Sequence, residues 1–310
     1  MRLRWIKLTP LVVIATMLLI WSHQLAAKGK NYPDAPSDNG NFALSGSQSP
    51  TPLYSFGQNI VSRGIFQLYF NPNILQNKKQ SFKQGAASWR YGLADNLSLF
   101  ITTPYNAFTV DNHHSDGYGD TSVQGEYAFI AHAYKTHTTQ ATIVGSVTIP
   151  SGKSNIQPPL GLGVPSYFGG LTFNQVYPRW LWFISPGMLY IQTNEQTHIG
   201  NQYFYQAGLS GVLASQTNEY IWAAMLELDG QNNNKNTLRG HFQPNSGGHF
   251  LYLTPSLWYS TKSFYIQAGV SLPINQQWSG NQPQNQYFAS ANIVWTLAGV
   301  RDDIRKLSPS

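Results

Sequence analysis

The feature that most constrains the fold is a strict alternation of apolar and polar residues near the carboxyl end. In GGHFLYLTPSLWYSTKSFYIQAGVSLP (247–273), nearly every second position is apolar. Alternation places one set of side chains on one face of a β-strand and the other set on the opposite face. The apolar sets run from Leu251 to Tyr259 and from Phe264 to Leu272, and Ser260–Lys262 between them has hairpin length. The stretch predicts two antiparallel strands with one apolar face, whose packing partner the pattern alone leaves open.

Composition separates a membrane setting from a soluble one. Charged residues make up 10% of the 310-residue chain and aromatic residues 14%, whereas typical soluble domains carry about 25% charged residues. No segment beyond the amino-terminal region is apolar for the roughly 20 residues that a membrane helix needs. An aromatic-rich chain with few charged residues and alternating strands is typical of an outer-membrane β-barrel.

The amino terminus has the pattern of a secretory signal. Arg2, Arg4 and Lys7 precede the uncharged apolar stretch 8–21, and small residues follow up to Ala27. We expect residues 1–27 to be a cleavable signal peptide; the alternative, a membrane anchor, needs a longer apolar run. Its removal lowers the formal net charge from +6 to +3, 16 basic against 13 acidic residues. The remaining basic residues are scattered, so nucleic acid is not an expected partner.

Twelve stretches after Gly57 have strand character and a length that spans a bilayer when tilted. They are roughly 58–70, 83–93, 97–106, 121–132, 138–150, 166–176, 180–192, 202–214, 219–229, 249–259, 263–274 and 286–297. Short and long connectors alternate between them, the first long one being 71–82. This sorting predicts an all-β, transmembrane, antiparallel up-and-down β-barrel of about twelve strands over 57–297, with short turns in the periplasm and long loops outside.

Four charged residues fall within the predicted strand interiors, at Arg63, Arg90, Glu126 and Glu227. An arginine on the lipid-facing side at mid-membrane costs about 2–4 kcal/mol, so we expect these side chains to line the lumen. They would form either a structural network or a constriction that selects permeants by charge. Phe183 and Met225 are predicted as apolar lining, because several strands are apolar on both faces. This composition opposes a wide aqueous pore.

Several motifs together resemble a known family of outer-membrane proteins. The motifs are DGYGDTSVQGEY (116–127), VTIPSGKSN (147–155), PPLGLG (158–163), GGHFLYLTPSLWY (247–259) and AGVSLPI (268–274). In order and spacing they resemble the family named for the meta pathway of phenol degradation, whose members are described as transporters. The resemblance implies a barrel of about twelve strands that admits aromatic or other apolar compounds, and it supplies no catalytic residues. The polar tail 298–310 departs from the family's pattern.

Two segments outside the predicted strands have open interpretations. Residues 28–56, rich in Pro, Gly, Ser and Asn, are expected to be a flexible periplasmic segment or a small plug in the lumen. DNHHSDGYGD (111–120) is expected to be an exposed extracellular loop; its loop residues are His113, His114, Asp116 and Asp120. Alternatives for this loop are a cation site, or a lipid hydrolase in which His113 activates Ser115.

These observations favour a non-enzymatic barrel in the bacterial outer membrane that passively binds and passes small apolar or aromatic molecules. We expect no catalytic residues, no metal and no cofactor. Expected partners are outer-membrane lipid, the outer-membrane assembly machinery and a small permeant. The alternative is a closed structural barrel whose extracellular loops bind a partner. The hydrolase using His113 and Ser115 is a third hypothesis.

Overall fold

A computed structural model of the chain describes residues 50–77, 80–110, 113–194, 196–216, 219–261 and 263–297. The signal peptide predicted for 1–27, most of the segment predicted for 28–56 and the polar tail 298–310 lie outside these residues. Within the described part of the chain, no helix is long and apolar enough to cross a membrane.

Twelve long antiparallel strands form a closed barrel, which confirms the predicted fold class. Each long strand pairs with its neighbours in the chain, and the first pairs with both the second and the last, which closes the sheet. The strands are β1 (Phe66–Asn77), β2 (Gln80–Ala94), β3 (Leu97–Val110), β5 (Thr121–Ala133), β6 (Thr138–Ile149), β7 (Ser166–Val176), β8 (Trp180–Ile191), β10 (Gln202–Gln216), β11 (Tyr220–Asn233), β14 (Gly248–Ser260), β15 (Phe264–Trp278) and β16 (Asn285–Leu297).

Four shorter strands lie in the connections. Strand β4 (His113–Tyr118) pairs with the end of β3 and extends that hairpin beyond the barrel. Strands β9 (Thr197–His198), β12 (Thr237–Leu238) and β13 (His241–Phe242) form a separate small sheet. The two long connections that contain these three strands therefore pair with each other.

The alternation in β14 and β15 sorts side chains as the sequence predicts. Tyr252, Thr254 and Trp258 are buried, whereas Leu257 and Leu272 are exposed on the outer face. The outer face of the other strands is also apolar; exposed residues include Trp89, Phe129, Ile143, Leu171, Ile184, Leu209, Trp222 and Leu226. The apolar face of the two strands, left without an assigned partner by the pattern alone, is therefore the outer face of the barrel.

Connections also sort by length, with one exception. Five connections of two to four residues lie at one end of the barrel, here the turn end, and the longer connections lie at the opposite loop end. The long loop predicted over 71–82 is wrong, because β1 and β2 continue to a connection of only two residues, 78–79. Asn71 and Asn73, which resemble loop residues in sequence, face the lumen; Asn73 donates to Gln84 Oε1 at 3.1 Å, and Asn71 bonds to Asn292.

The first strand begins later than predicted. Residues 58–65 are not a strand, and β1 starts at Phe66. The strand position predicted for Arg63 is therefore wrong: its side chain is exposed at the turn end, and its backbone N–H donates to Asp95 Oδ1 at 3.0 Å. The chain bonds to β2 just before it joins the sheet, because Gly64 N–H donates to Gly92 O at 2.8 Å.

Side chains fill part of the lumen near the turn end. We call this group the packed layer; it comprises Tyr69, Ile221, Ala223, Trp258, Tyr265 and Val294, each at most 6% exposed. Trp258 stacks on Tyr265 with ring centroids 4.1 Å apart, and Tyr265 donates a hydrogen bond to the Tyr69 hydroxyl at 2.9 Å. Packing of this kind belongs to the barrel wall itself and leaves little room for water.

Candidate functional site

The candidate site lies in the lumen around residues 50–65, which we call the inner segment. This segment enters beside β2 at the turn end and contacts strands on opposite sides of the barrel. Its backbone bonds reach β3 through Ser98, β5 through Glu126, β10 through Gln206 and β11 through Glu227. Contacts with so many strands place the inner segment inside the barrel, where it occupies the middle of the lumen.

Two carboxylates on β11, Glu227 and Asp229, hold the first part of the inner segment; we call them the acid pair. Glu227 accepts three consecutive backbone N–H groups, from Leu53 at 2.7 Å, Tyr54 at 3.3 Å and Ser55 at 3.0 Å. Asp229 accepts the Ser55 hydroxyl at 2.7 Å. Residues two apart on a strand share a face, so both carboxylates point inward, and both are at most 1% exposed.

Glutamine and threonine side chains complete the surroundings of Asp229. Gln206 Nε2 donates to Asp229 Oδ1 at 3.3 Å, while Gln206 Oε1 accepts the Phe56 backbone N–H at 3.1 Å. Thr254 donates to the other carboxylate oxygen of Asp229 at 2.7 Å. Gln206 therefore connects Asp229 to Phe56, the residue that follows Ser55 in the inner segment. Asp229, Gln206, Thr254 and the Phe56 N–H form one hydrogen-bonded network.

A second polar contact holds the inner segment further along, at Asn59. Glu126 accepts the Asn59 backbone N–H at 2.9 Å and its side-chain Nδ2 at 3.0 Å. Arg90 donates to Asn59 Oδ1 at 2.6 Å and to Gln67 Oε1 at 3.2 Å, and its guanidinium lies 4.4 Å from the Tyr69 ring centroid. Asn59 thus bridges the two opposite charges.

Glycines in the wall make room for the Phe56 ring. A Cβ at Gly170 would lie 2.4 Å from the Phe56 ring, and one at Gly187 would lie 2.8 Å from it. The ring packs edge-on against Phe168, with centroids 4.7 Å apart. Gly57, which follows, has a φ of +86°, and a Cβ there would meet Thr172 Oγ1 at 2.1 Å. The inner segment is fitted closely to this side of the lumen.

At the loop end, three of the sequence motifs meet around Asp120. Its two carboxylate oxygens accept backbone N–H groups from Gly152 at 2.8 Å and from Leu162 at 2.7 Å. Leu160 is 4% exposed, and its carbonyl accepts a bond from Asn106 Nδ2 at 3.2 Å. The connection 150–165 therefore folds into the mouth of the barrel, and Asp120 holds it there.

The other predicted loop residues, His113, His114 and Asp116, lie on β4. Asp116 accepts the Tyr105 hydroxyl at 2.6 Å and lies 3.5 Å from His114. His113 is exposed and Ser115 is buried, and no hydrogen bond joins them in the described structure. Across the described ranges, no three His, Cys, Asp or Glu residues are placed to hold a metal ion.

The predicted lumen residues fall into separate environments. Arg90, Glu126 and Glu227 are buried and face inward, and all three belong to the site around the inner segment. Phe183 and Met225 are buried together with Leu181 in a small apolar cluster beside that site. Arg63 lies apart, at the turn end.

Sequence reasoning missed Asp229, Gln206 and the course of residues 58–65, and for 28–56 it offers a small plug in the lumen only as one of two alternatives. Asp229 is the last residue of its predicted strand, 219–229, although its separation of two residues from Glu227 predicts a shared face. The contacts that define the inner segment join residues far apart in the chain, such as Ser55 and Glu227 at a separation of 172. No local pattern signals them.

Comparison with one solved structure supports the fold. An outer membrane channel from Pseudomonas putida F1 matches with a TM-score of 0.64 and 11% identity, covering 78% of this chain and 100% of that chain. The NanC porin has 11% identity, a TM-score of 0.45, and covers 74% of this chain and 99% of that chain. No family model and no curated protein sequence matches the chain. The resemblance to the phenol-degradation family therefore stays a prediction, since likeness at this identity concerns the fold alone.

Proposed function

We propose that this protein is a bacterial outer-membrane barrel that passively passes small apolar or aromatic molecules through its lumen, and that the inner segment closes the passage. The observation that carries the proposal is the construction of the lumen: a chain segment that is not part of the sheet fills its centre. Side chains of at least five strands hold this segment, so its departure would leave the sheet intact.

Location in the outer membrane is supported by the outer face of the barrel. That face is apolar on every strand, and closed barrels satisfy all backbone groups within lipid because they have no free sheet edge. Buried charges occur only on the inward face among the described residues, at Arg90, Glu126, Glu227 and Asp229. Export through a cleavable signal peptide at 1–27, and assembly by the outer-membrane machinery, belong to the same proposal.

The preference for apolar or aromatic permeants is supported by the rings that surround the inner segment. Phe56 contacts Phe168, which in turn lies 5.8 Å from Phe204, and Tyr54 packs on Phe288 with centroids 5.1 Å apart. Rings of this kind form the apolar wall of small-molecule sites, beside a few polar groups that orient the ligand. A permeant that replaced the inner segment would meet the same wall.

Single-channel conductance in a planar bilayer tests the proposal. The wild-type protein should conduct weakly, because the inner segment occupies the lumen. Gly57→Val should conduct with larger and longer openings, because a side chain at this positive φ strains the backbone and meets Thr172. Gly125→Val is the matched control, since Gly125 has no atom within 4 Å of an added Cβ and should leave the current unchanged. A correctly folded Gly57→Val barrel without current would overturn the proposal.

The packed layer favours a second candidate, a closed structural barrel whose outer loops bind a partner. Its six residues fill part of the lumen with fixed side chains, and in this candidate the remaining space is too small for passage. This candidate predicts silence in the bilayer for both glycine variants, and function lost only when an outer loop is deleted.

A further inference from the structure

The acid pair has no cation beside it. Glu227 and Asp229 are at most 1% exposed, and in the described residues no lysine, arginine or histidine nitrogen lies within 4.0 Å of either carboxylate. Buried carboxylates are normally paired with a cation or a metal, because transfer of an unpaired charge from water is costly. Glu126 differs, since Asn59 connects it to Arg90.

The inner segment supplies what a cation would otherwise supply. Three consecutive N–H groups, from Leu53 to Ser55, converge on Glu227 at 2.7–3.3 Å, and the Ser55 hydroxyl donates to Asp229. An ammonium group offers three N–H donors and a positive charge in the same space. The positive charge adds a Coulomb attraction to both carboxylates that neutral backbone N–H groups lack, so an ammonium ligand would suit the acid pair better than the backbone does.

An aromatic pocket adjoins the acid pair. Gln206 bonds to Asp229 and to the Phe56 backbone, so the Phe56 ring follows directly on the polar contacts. The ring occupies the space that Gly170 and Gly187 leave open against Phe168. The inner segment therefore places N–H donors on the acid pair and, next to them, an aromatic ring in the pocket. A small aromatic amine carries the same two groups, N–H donors and a ring.

A separate polar side chain in the same part of the lumen also lacks a partner. Asn174 is 6% exposed, and its Oδ1 accepts no hydrogen bond from any described residue. It lies two residues after Thr172 on β7 and thus on the same inward face, and Thr172 donates to the Phe56 carbonyl at 3.3 Å. A buried acceptor without a donor is costly, so Asn174 Oδ1 is a further place on this inward face for an N–H group.

We propose that the acid pair and the neighbouring aromatic pocket form a binding site for small aromatic amines, which the inner segment occupies as an internal substitute for the ligand. This inference rests on the proposed function and narrows it. Within the broad class of aromatic permeants it selects cations and disfavours aromatic acids, because two uncompensated carboxylates repel an anion. The inner segment and the amine would exclude each other from the site.

Calorimetric titration of the full-length mature protein in detergent tests the ligand class directly. The probes are phenethylamine and 3-phenylpropionate, which share the ring and the two-carbon chain and differ in the charged group. In the Gly57→Val variant, the amine should bind about tenfold or more tightly than the acid. Wild type should bind the amine more weakly, because the inner segment competes for the site. If Gly57→Val does not fold, Phe56→Ala serves as the opened variant.

Substitution of the acid pair supplies the control. Glu227→Gln with Asp229→Asn, in the Gly57→Val background, should abolish the difference between amine and acid while leaving the aromatic pocket in place. Equal binding of both probes to Gly57→Val, or tighter binding of the acid, would overturn the inference. Conductance of the same variant separates the two proposals: current with no amine preference removes only the ligand class, and amine binding without current removes only the passage.

Discussion

Two parts of the same lumen are filled in different ways. The packed layer at the turn end consists of side chains from the strands themselves, such as Trp258 and Tyr265, which stack on each other. The middle of the lumen is filled by the inner segment, whose backbone N–H groups bond to carboxylates on the wall. One filling is part of the sheet, and the other is a separate length of chain inside it.

The two ways of filling the lumen differ in which residues can move out of it. A side chain of the packed layer belongs to a barrel strand and is buried on its inward face. It cannot leave the lumen unless that strand unfolds. Among the described residues, the inner segment continues into the sheet only at the start of β1, and its other contacts are hydrogen bonds and ring packing. Regions held by such contacts open locally at a lower free energy than the core of a fold. Substitutions should therefore affect barrel stability in one region and lumen access in the other.

The largest expected effect is on barrel stability, from Trp258→Ala. Trp258 is fully buried in the packed layer, and truncation of a buried Trp to Ala costs about 3–5 kcal/mol through lost packing and the cavity left behind. Urea unfolding in lipid vesicles measures the loss. Trp222→Ala is the matched control on the outer face, where the side chain is 42% exposed, and should cost less. Equal losses would show that the packed layer is not a core.

Phe56→Ala should have a smaller effect on barrel stability and a large effect on how readily solutes reach the inner segment. Removal of the ring takes away its contact with Phe168 and weakens the hold on the inner segment, while every strand keeps its own contacts. The chain contains no cysteine, so Gln58→Cys gives a single thiol within the segment. Its labelling by a thiol reagent should speed up by about tenfold, as expected when local opening becomes about 1.4 kcal/mol easier.

The control for that measurement is Phe129→Ala, an equal truncation on the outer face, where Phe129 is 48% exposed. It should leave labelling of Gln58→Cys unchanged. Unchanged labelling in Phe56→Ala as well would mean that the inner segment is as firmly held as the packed layer. The contrast between the two regions would then fail.

The barrel wall could be predicted from the sequence because its signal is local. In β14 and β15, every second residue reports which face it occupies, and the burial of Tyr252, Thr254 and Trp258 follows from that pattern alone. The buried positions of Arg90, Glu126 and Glu227 followed from the cost of charge in lipid. Neither inference requires knowledge of which strands are neighbours.

The contacts that fill the lumen could not be predicted, because they join distant parts of the chain, and the sequence leaves a plug as only one of two alternatives for 28–56. Residues 58–65 resemble the start of a strand, but their donors find acceptors on β3 and β5 rather than in a ladder. The Asn-rich end of β1 resembles a loop, yet Asn73 pairs with Gln84 inside the barrel. In a polar lumen, amide side chains are compatible with a strand. Their usual association with turns therefore led to the wrong prediction of a loop at the end of β1.

The smallest effect on barrel stability is expected at the mouth, from Asp120→Asn. Asp120 holds the connection 150–165 as Glu227 holds the inner segment, by accepting backbone N–H groups, here from Gly152 and Leu162. An amide nitrogen cannot accept such a bond, and hydrogen bonds to a charged group contribute about 1.5–3 kcal/mol each. Trypsin cleavage after the exposed Lys153 should therefore speed up by about tenfold or more, with little change in urea unfolding. Asp116→Asn, which alters an exposed carboxylate on β4, should leave cleavage at Lys153 unchanged; an equal rise in both variants would show that Asp120 has no specific hold on the loop.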